Sequence, residues 1–210
     1  MARRDSARCS FVLEDDAHRS GALTVAGIDE AGRGPWAGPV AAAAVILDRR
    51  SIPAGIADSK TLSETRRAAL YDEIMASAQV GIAMADVARI DRDNILGATL
   101  WAMSEAVGRL AVAPGLCLVD GNRLPRLAMP ARAVIGGDGL SLSIAAASII
   151  AKVTRDRFMA RLDDELPGYG FCRHKGYGTP AHHAALKRLG PCPQHRRSFK
   201  PVRALFDADR

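Results

Sequence analysis

The sequence predicts an α/β fold built on a mixed sheet, antiparallel in its leading strands and parallel in its later ones, with helices on both faces. Three observations predict it. Two apolar runs near the N-terminus are joined by a glycine-rich turn; strand-like and helix-like segments then alternate; and three turns that each follow a short apolar run carry carboxylates.

Residues 23–30 and 39–47 read as the first two strands, joined through Ala31-Gly32-Arg33-Gly34-Pro35. The second contains Ala41-Ala42-Ala43-Ala44, which favours helix on propensity alone, so the short connection and the strand context decide. After Asp58-Ser59-Lys60, Ser63 with Arg66, Ala69 and Leu70 behind it fits a helix start, running to about Ser77. Gln79 to Asp86 reads as a third strand. Ile90 to Leu110 reads as a helix with Ile95, Leu96, Thr99, Leu100, Met103 and Val107 along one face. Leu116-Cys117-Leu118-Val119-Asp120-Gly121-Asn122 repeats the opening theme of an apolar strand ending in a carboxylate and a glycine. A brief fifth strand, Ala133 to Ile135, runs into Gly136-Gly137-Asp138-Gly139. A helix from about Leu142 to Leu166 is rich in small residues at Ala145 to Ser148 and ends at Pro167-Gly168. A loop, a short helix from Pro180 to Leu189 and an extended basic tail complete the chain.

The length, 210 residues, and an apolar content of 48% suit one globular domain with a sizeable core. Residues 1–22 are expected to be a poorly ordered extension, 23–170 the catalytic domain, and 171–210 a basic segment involved in substrate binding. No run approaches the roughly 18 apolar residues of a membrane span, and the N-terminus lacks the apolar stretch of a secretory signal, so a soluble, cytoplasmic protein without membrane contact is expected. Cys9, Cys117, Cys172 and Cys192 are widely spaced and read as free thiols. Cys172-x-His174 and Cys192-x-x-His195 could supply four zinc ligands, but their spacing matches no common zinc module.

The net charge of +6 is unevenly placed: residues 171–210 carry +7 and residues 1–170 carry −1. Four of the five histidines also lie in the C-terminal stretch. Such a concentration is the footprint of a protein that neutralises phosphates; the bland alternative is a solvated basic face.

Asp29-Glu30 places adjacent carboxylates at the end of an apolar strand, where side chains leave the core. Strand alternation would separate them, so they share a site only if the chain curls at Glu30, which the glycines permit. Gly32, Gly34 and Gly38 also invite a dinucleotide reading. Two carboxylates would repel a pyrophosphate by several kcal/mol, however, and Pro35 lacks the N–H that such a loop would use. Asp29, Glu30, Asp120 and Asp138 together form an all-oxygen donor set of the kind that selects Mg²⁺ or Mn²⁺. Two such ions about 4 Å apart activate water and stabilise a pentacoordinate phosphate, so the acids and the basic stretch together point to phosphodiester hydrolysis. Each Asp-Gly pair alone is more often a turn former than a ligand. A nucleic-acid-binding module without catalysis is the alternative of another class.

The stretch Gly27-Ile28-Asp29-Glu30-Ala31-Gly32-Arg33-Gly34-Pro35, with Ala37-Gly38-Pro39-Val40 behind it, resembles the signature of the type 2 ribonucleases H, the family of bacterial ribonuclease HII. The resemblance continues through Asp58-Ser59-Lys60, Val119-Asp120-Gly121-Asn122, Gly137-Asp138, Ser143 to Asp156, His174-Lys175-Gly176-Tyr177-Gly178-Thr179 and His195-Arg196-Arg197-Ser198-Phe199. It covers roughly residues 23–200 in colinear order. It implies a ribonuclease H-like five-stranded sheet, and endonucleolytic cleavage of RNA in RNA·DNA hybrids and at single ribonucleotides embedded in duplex DNA. Carried over by position, Asp29, Glu30, Asp120 and Asp138 would be the metal-binding catalytic acids, with Mn²⁺ or Mg²⁺ as cofactor. Gly32, Arg33 and Gly34 would read the ribose 2′-hydroxyl and the junction phosphates, and Tyr177 would stack on the neighbouring sugar. A monomer needing no obligate protein partner is implied.

Lys60 either contacts a phosphate or simply precedes a helix. Many relatives carry Lys where this chain has Gly136. Asp156 is expected in a helix-surface salt bridge with Arg155 or Lys152, His174 and His195 as solvated residues of the basic tail, and Trp36 in core packing.

Overall fold

The five strands take the order β3-β2-β1-β4-β5 in a computed structural model that describes residues 9–208. They are β1 (Val25–Ala31), β2 (Val40–Leu47), β3 (Ala78–Ala85), β4 (Leu116–Asp120) and β5 (Ala131–Val134). β1 runs antiparallel to β2, and β2 antiparallel to β3, while β4 is parallel to both β1 and β5. The predicted mixture of antiparallel leading strands and parallel later ones is therefore present. The helices are α1 (Val12–Arg19), α2 (Glu64–Ser77), α3 (Val87–Gly108), α4 (Leu142–Glu165), α5 (Phe171–His174), α6 (Pro180–Leu189) and α7 (Lys200–Ala208). Among the described residues, no helix is long and apolar enough to cross a membrane.

The alanine run of β2 is a strand because it is covered on both sides. Ala42 and Ala44 pack with Ala98, Ala102 and Ala106 of α3, whereas Ala43 and Val45 face Ala145, Ala146 and Ile149 of α4. Alternation of polarity is lost, since both faces are core, and the small side chains let the two helices approach. At two positions even a methyl is too large. A Cβ on Gly27 of β1 would lie 2.0 Å from the Ser143 carbonyl carbon and 2.2 Å from the Ile144 nitrogen, and one on Gly81 of β3 would lie 2.0 Å from the Ala106 oxygen.

Helix boundaries follow their caps. Ser63 accepts from the Arg66 N–H at 3.2 Å to open α2, and Asp86 accepts from the Arg89 N–H at 2.8 Å to open α3. The helix expected over residues 90–110 thus begins earlier, and it is broken: Asn94 sits at φ 59°, ψ 169°. Its side-chain oxygen caps the second stretch by accepting from the Leu96 and Gly97 N–H groups at 2.9 and 3.1 Å.

Both chain ends depart from expectation. Residues 9–22, expected within a poorly ordered extension, hold α1, and residues 1–8 lie outside the described residues. Glu14 of α1 is fully buried and accepts from the Ser141 hydroxyl at 2.5 Å and the Ser143 N–H at 2.9 Å, at the start of α4. Orphan N–H groups and the positive end of a 24-residue helix explain why a carboxylate is held there. The tail expected to be extended forms α7, with Val202 buried; Pro201 stands in its first turn, where its missing N–H is tolerated. Phe171 opens a further short helix, α5, and joins Ala37, Met159 and Leu162 in a satellite core that ties residues 171–210 to the sheet-bearing part.

Gly27→Ala is expected to destabilise the fold by about 1–3 kcal/mol, because neither backbone can yield without moving α4; a denaturant melt reads it. Glu14→Ala strands a buried hydroxyl and an N–H, and is expected to lower stability by roughly 1–3 kcal/mol in the same assay.

Candidate active site

The β1–β4 register brings the first two acids together. Ile28 pairs with Val119, so Asp29 and Asp120 leave adjacent parallel strands side by side. Asp138 arrives from a single 3-10 turn, Gly137–Gly139, after β5, and the Gly137 N–H donates to the Asp120 carboxylate at 2.7 Å. Gly136, at φ 66°, turns the chain into that step. Carboxylate oxygens of Asp29, Asp120 and Asp138 all lie within 4.8 Å of one another. Among the described residues this is the one group of three or more Asp, Glu, His or Cys side chains that close. The four zinc-type ligands weighed from the sequence do not converge.

Glu30 lies beside this trio, outside it. Its carboxylate accepts from Arg33 at 3.3 Å, and both residues line the cleft of about 300 Å³ that also contains Asp29, Gly32, Gly34, Lys60, Asp120, Ser148, Lys152, Arg155 and Tyr177. All nine residues singled out from the sequence therefore meet here, eight lining the cleft and Asp138 reached through the Lys60 ammonium, which donates to it at 2.9 Å. A larger cavity, about 630 Å³, opens at the opposite ends of β1 and β4 and contains none of these acids.

Burial and mutual repulsion dominate the electrostatics. Asp29 is pushed well above the usual carboxylate range by burial first, then by Glu30 and Asp120, with the Ser148 hydroxyl opposing. Burial also raises Glu30 against the lowering effect of Arg33, and burial followed by the charge of Asp138 raises Asp120. Lys60 is raised by its hydrogen bond to Asp138. The even choice between phosphate contact and helix lead-in for Lys60 thus acquires a third answer, a counter-ion for an acid.

Two buried arginines fasten the glycine-rich loop. Arg155 of α4 donates to the carbonyls of Pro39 at 2.9 Å and Ala37 at 3.1 Å. Arg196 donates to Gly38 at 2.9 Å, Arg33 at 2.9 Å, Gly32 at 2.6 Å and Pro39 at 3.2 Å. Burial lowers them to about 10 and about 9 respectively, so both remain cationic near neutral pH. Gly32 is at φ 97°, and a Cβ there would meet the Arg155 Nε at 2.0 Å, which is why no larger residue fits this turn.

Sequence reasoning missed these two arginines together with Ser148 and Lys152. Ser148, Lys152 and Arg155 follow one another at helical spacing along an otherwise apolar stretch of α4, a polar stripe visible in the sequence. Asp156 pairs with Lys152 at 2.8 Å, as expected. Trp36 packs in the loop cluster, 5.6 Å from the His182 ring. His195, expected to be solvated, is instead 1% exposed, because the tail folds back over the loop and pairs it with Ala37 as an isolated bridge.

Comparison with known proteins agrees with this geometry. The sequence model of the family described as Ribonuclease HII matches residues 26–202. Ribonuclease HII of Azorhizobium caulinodans is 62% identical over 204 residues, covering 95% of this chain and 79% of the relative. That of Rhizorhabdus wittichii is 61% identical over 188 residues, covering 89% and 93%. The crystal structure of ribonuclease H2 from Pyrococcus horikoshii superposes with a TM-score of 0.74 at 25% identity, covering 89% of this chain and 98% of that one. With its family signature spread over most of its length and its acids gathered at one sheet edge, the chain belongs to the ribonuclease HII family and is a metal-dependent endoribonuclease.

Proposed function

We propose that the chain hydrolyses the RNA strand of RNA·DNA hybrids and incises duplex DNA on the 5′ side of embedded ribonucleotides, with Mg²⁺ or Mn²⁺ bound by Asp29, Glu30, Asp120 and Asp138. The observation that carries the reading is the cleft in which Asp29, Glu30 and Asp120, the Gly32–Gly34 turn and Tyr177 face one another, with Asp138 completing the acidic trio beside it.

The donor set fits such cations. It is all oxygen and has no thiolate or imidazole competitor. Besides burial, Glu30 and Asp120 raise the Asp29 pKa and Asp138 raises that of Asp120, and an ammonium already sits on Asp138. When bound, a pair of divalent cations supplies Lewis-acid stabilisation of the phosphoryl oxygens and a more acidic water. The chain's own residues do the positioning. Arg196 turns the Gly32 and Arg33 carbonyls inward, so the loop offers the exposed Gly34 backbone and the Arg33 side chain to a ligand. Tyr177 stands across from Gly34, with a ring atom 3.6 Å from where a Gly34 Cβ would be. A 2′-hydroxyl is the local difference between RNA and DNA, and a glycine-lined turn lets backbone approach it while an aromatic face receives the adjoining sugar. The reading assigns a monomer that recognises duplex shape and the ribose rather than base sequence.

Asp120→Asn is expected to lower turnover at least about 100-fold, near 2.7 kcal/mol of barrier, while circular dichroism and duplex binding stay close to wild type. The assay is cleavage of a labelled duplex bearing one ribonucleotide, with Mg²⁺, Mn²⁺ or chelator, beside all-DNA and RNA·DNA controls. Undiminished cleavage by the variant would overturn the assignment.

Stability responds in the opposite direction. The folded-state pKa of Asp29 lies above its ordinary value of 3.8, so its ionisation costs stability as pH rises through the folded pKa. Metal-free Asp29→Asn is therefore expected to melt higher than wild type at pH 7, by roughly 2–4 °C for each kcal/mol relieved, with the gain vanishing below about pH 4. Added Mg²⁺ or Mn²⁺ should raise the wild-type midpoint and narrow that gap.

A further inference from the structure

The C-terminal segment contains a second buried polar system that the acids do not use. The Cys192 N–H donates to His195 Nδ1 at 3.0 Å; His195 Nε2 faces His182 Nε2 at 3.0 Å; and His182 Nδ1 lies 2.9 Å from the Tyr177 carbonyl oxygen. An amide donor fixes one end of this chain and a carbonyl acceptor the other. Only one assignment satisfies every link: His195 neutral with its proton on Nε2, and His182 neutral with its proton on Nδ1. Both histidines are essentially fully buried, whereas Tyr177, at the end of this network, is 45% exposed and lines the acidic cleft.

We infer that His182 and His195 are positioning residues that fix the backbone at Tyr177, and thereby set the placement of its ring against the ribonucleotide. The inference rests on the role proposed above for Tyr177. The same backbone is held from other sides: the Thr179 N–H donates to the Tyr177 carbonyl at 2.8 Å, and the Trp36 N–H to the Gly176 carbonyl at 2.8 Å. The Arg196 N–H donates to the Trp36 carbonyl at 2.8 Å, so the histidine-bearing tail joins the Tyr177 turn to the glycine-rich loop. Placement across two recognition elements is therefore set by one buried network.

The neutral state is built into the surroundings. His174 of α5 stacks on His182 with ring centroids 4.3 Å apart, and its Nδ1 accepts from the Gly176 N–H at 3.1 Å while its Nε2 lies 2.8 Å from the Tyr169 carbonyl oxygen. Phe171 meets both rings at 5.7 Å, Tyr169 lies 5.3 Å from His195, and Trp36 5.6 Å from His182. The ionisable neighbours are His174, Cys192, Tyr169 and Arg196, whose guanidinium is turned to the loop carbonyls; on α4, Asp163 lies beyond His174 and Arg155 points to the loop. Among the described residues no carboxylate is bonded to either imidazole. Burial lowers both to about 4, with His182 also lowering His195. Protonating His182 would set two N–H groups against each other across the 3.0 Å gap, and protonating His195 would set one against the Cys192 N–H. Since both folded pKa values lie below the ordinary 6.5, the network's stability is intact above that value and is lost as pH falls toward 4.

The test uses the full chain labelled with ¹⁵N-histidine. Imidazole correlation spectra are expected to show His182 protonated on Nδ1 and His195 on Nε2, both neutral from pH 5.5 to 8. The opposite tautomers, or titration near pH 6.5, would overturn the inference. In parallel, His182→Ala is expected to lower kcat/KM on a single-ribonucleotide duplex roughly tenfold, mainly through KM, with less effect on a continuous hybrid. His182→Asn, whose amide mimics the Nδ1 donor, should recover most of the loss, and Tyr177→Ala should add little to His182→Ala. An unchanged preference between the two substrates in a folded His182→Ala protein would also overturn it. If the wild-type chain cleaves neither substrate, the proposed function falls, and the tautomers alone decide the positioning.

Discussion

Buried guanidinium groups bonded to carbonyls rather than to carboxylates hold the loop on which this cleft depends. Between β1 and β2 the chain must turn back within a few residues, and the carbonyls of Gly32, Arg33, Ala37, Gly38 and Pro39 find donors in Arg155 and Arg196. Without them those groups would be buried and unsatisfied, at about 1–3 kcal/mol each. The donors come from α4 and from the C-terminal tail, elements far apart in sequence, so the turn forms only when the whole fold does. Their fixed fork geometry also explains why lysine could not replace them: a single ammonium cannot reach so many oxygens in one plane.

One of these arginines, Arg155, lines the same cleft as Asp29, Glu30 and Asp120. Burial pushes the arginine pKa values down and the Asp29 pKa up, so charges of both signs are held away from water. Carboxylates held this close repel one another, and each acid is anchored separately. Asp120 accepts from the Gly137 N–H, Asp138 from Lys60, and Asp29 from the Glu30 N–H at 2.7 Å. Collapse or splaying of the trio is opposed by backbone as well as by side chains.

Much of this was legible from the residues because local signals coincided with the global fold. Apolar runs that end in Asp29 and Asp120 mark strand ends, and the parallel register then makes the two acids neighbours. Ser63 marked a helix start that is also the observed cap. The illegible parts are those where a polar residue is buried by something distant. His182 and His195 look like members of a basic tail; only the folding of that tail over the Trp36 loop reveals them as core. Glu14 is similar, a charged residue in a polar N-terminal stretch whose partner, the start of α4, is more than 120 residues away. The break at Asn94 was masked by the apolar periodicity that continues past it, although Asn is a favoured cap and its side chain bonds the N–H groups of Leu96 and Gly97 after it.

The contact of Gly27 with the backbone of α4 reaches beyond packing. Ser148, Lys152 and Arg155 ride on that one helix, and the Glu14 carboxylate holds its first turn while the sheet presses directly on its peptide groups. Sliding α4 by even a fraction of a turn would carry a cleft hydroxyl, a cleft ammonium and the loop's guanidinium anchor out of place together. The acidic sheet edge and the glycine-rich turn are therefore tied to the same helix. On the function proposed above, a duplex would meet a surface already in shape, with accommodation on binding left to the nucleic acid and to the exposed side chains of Arg33 and Tyr177.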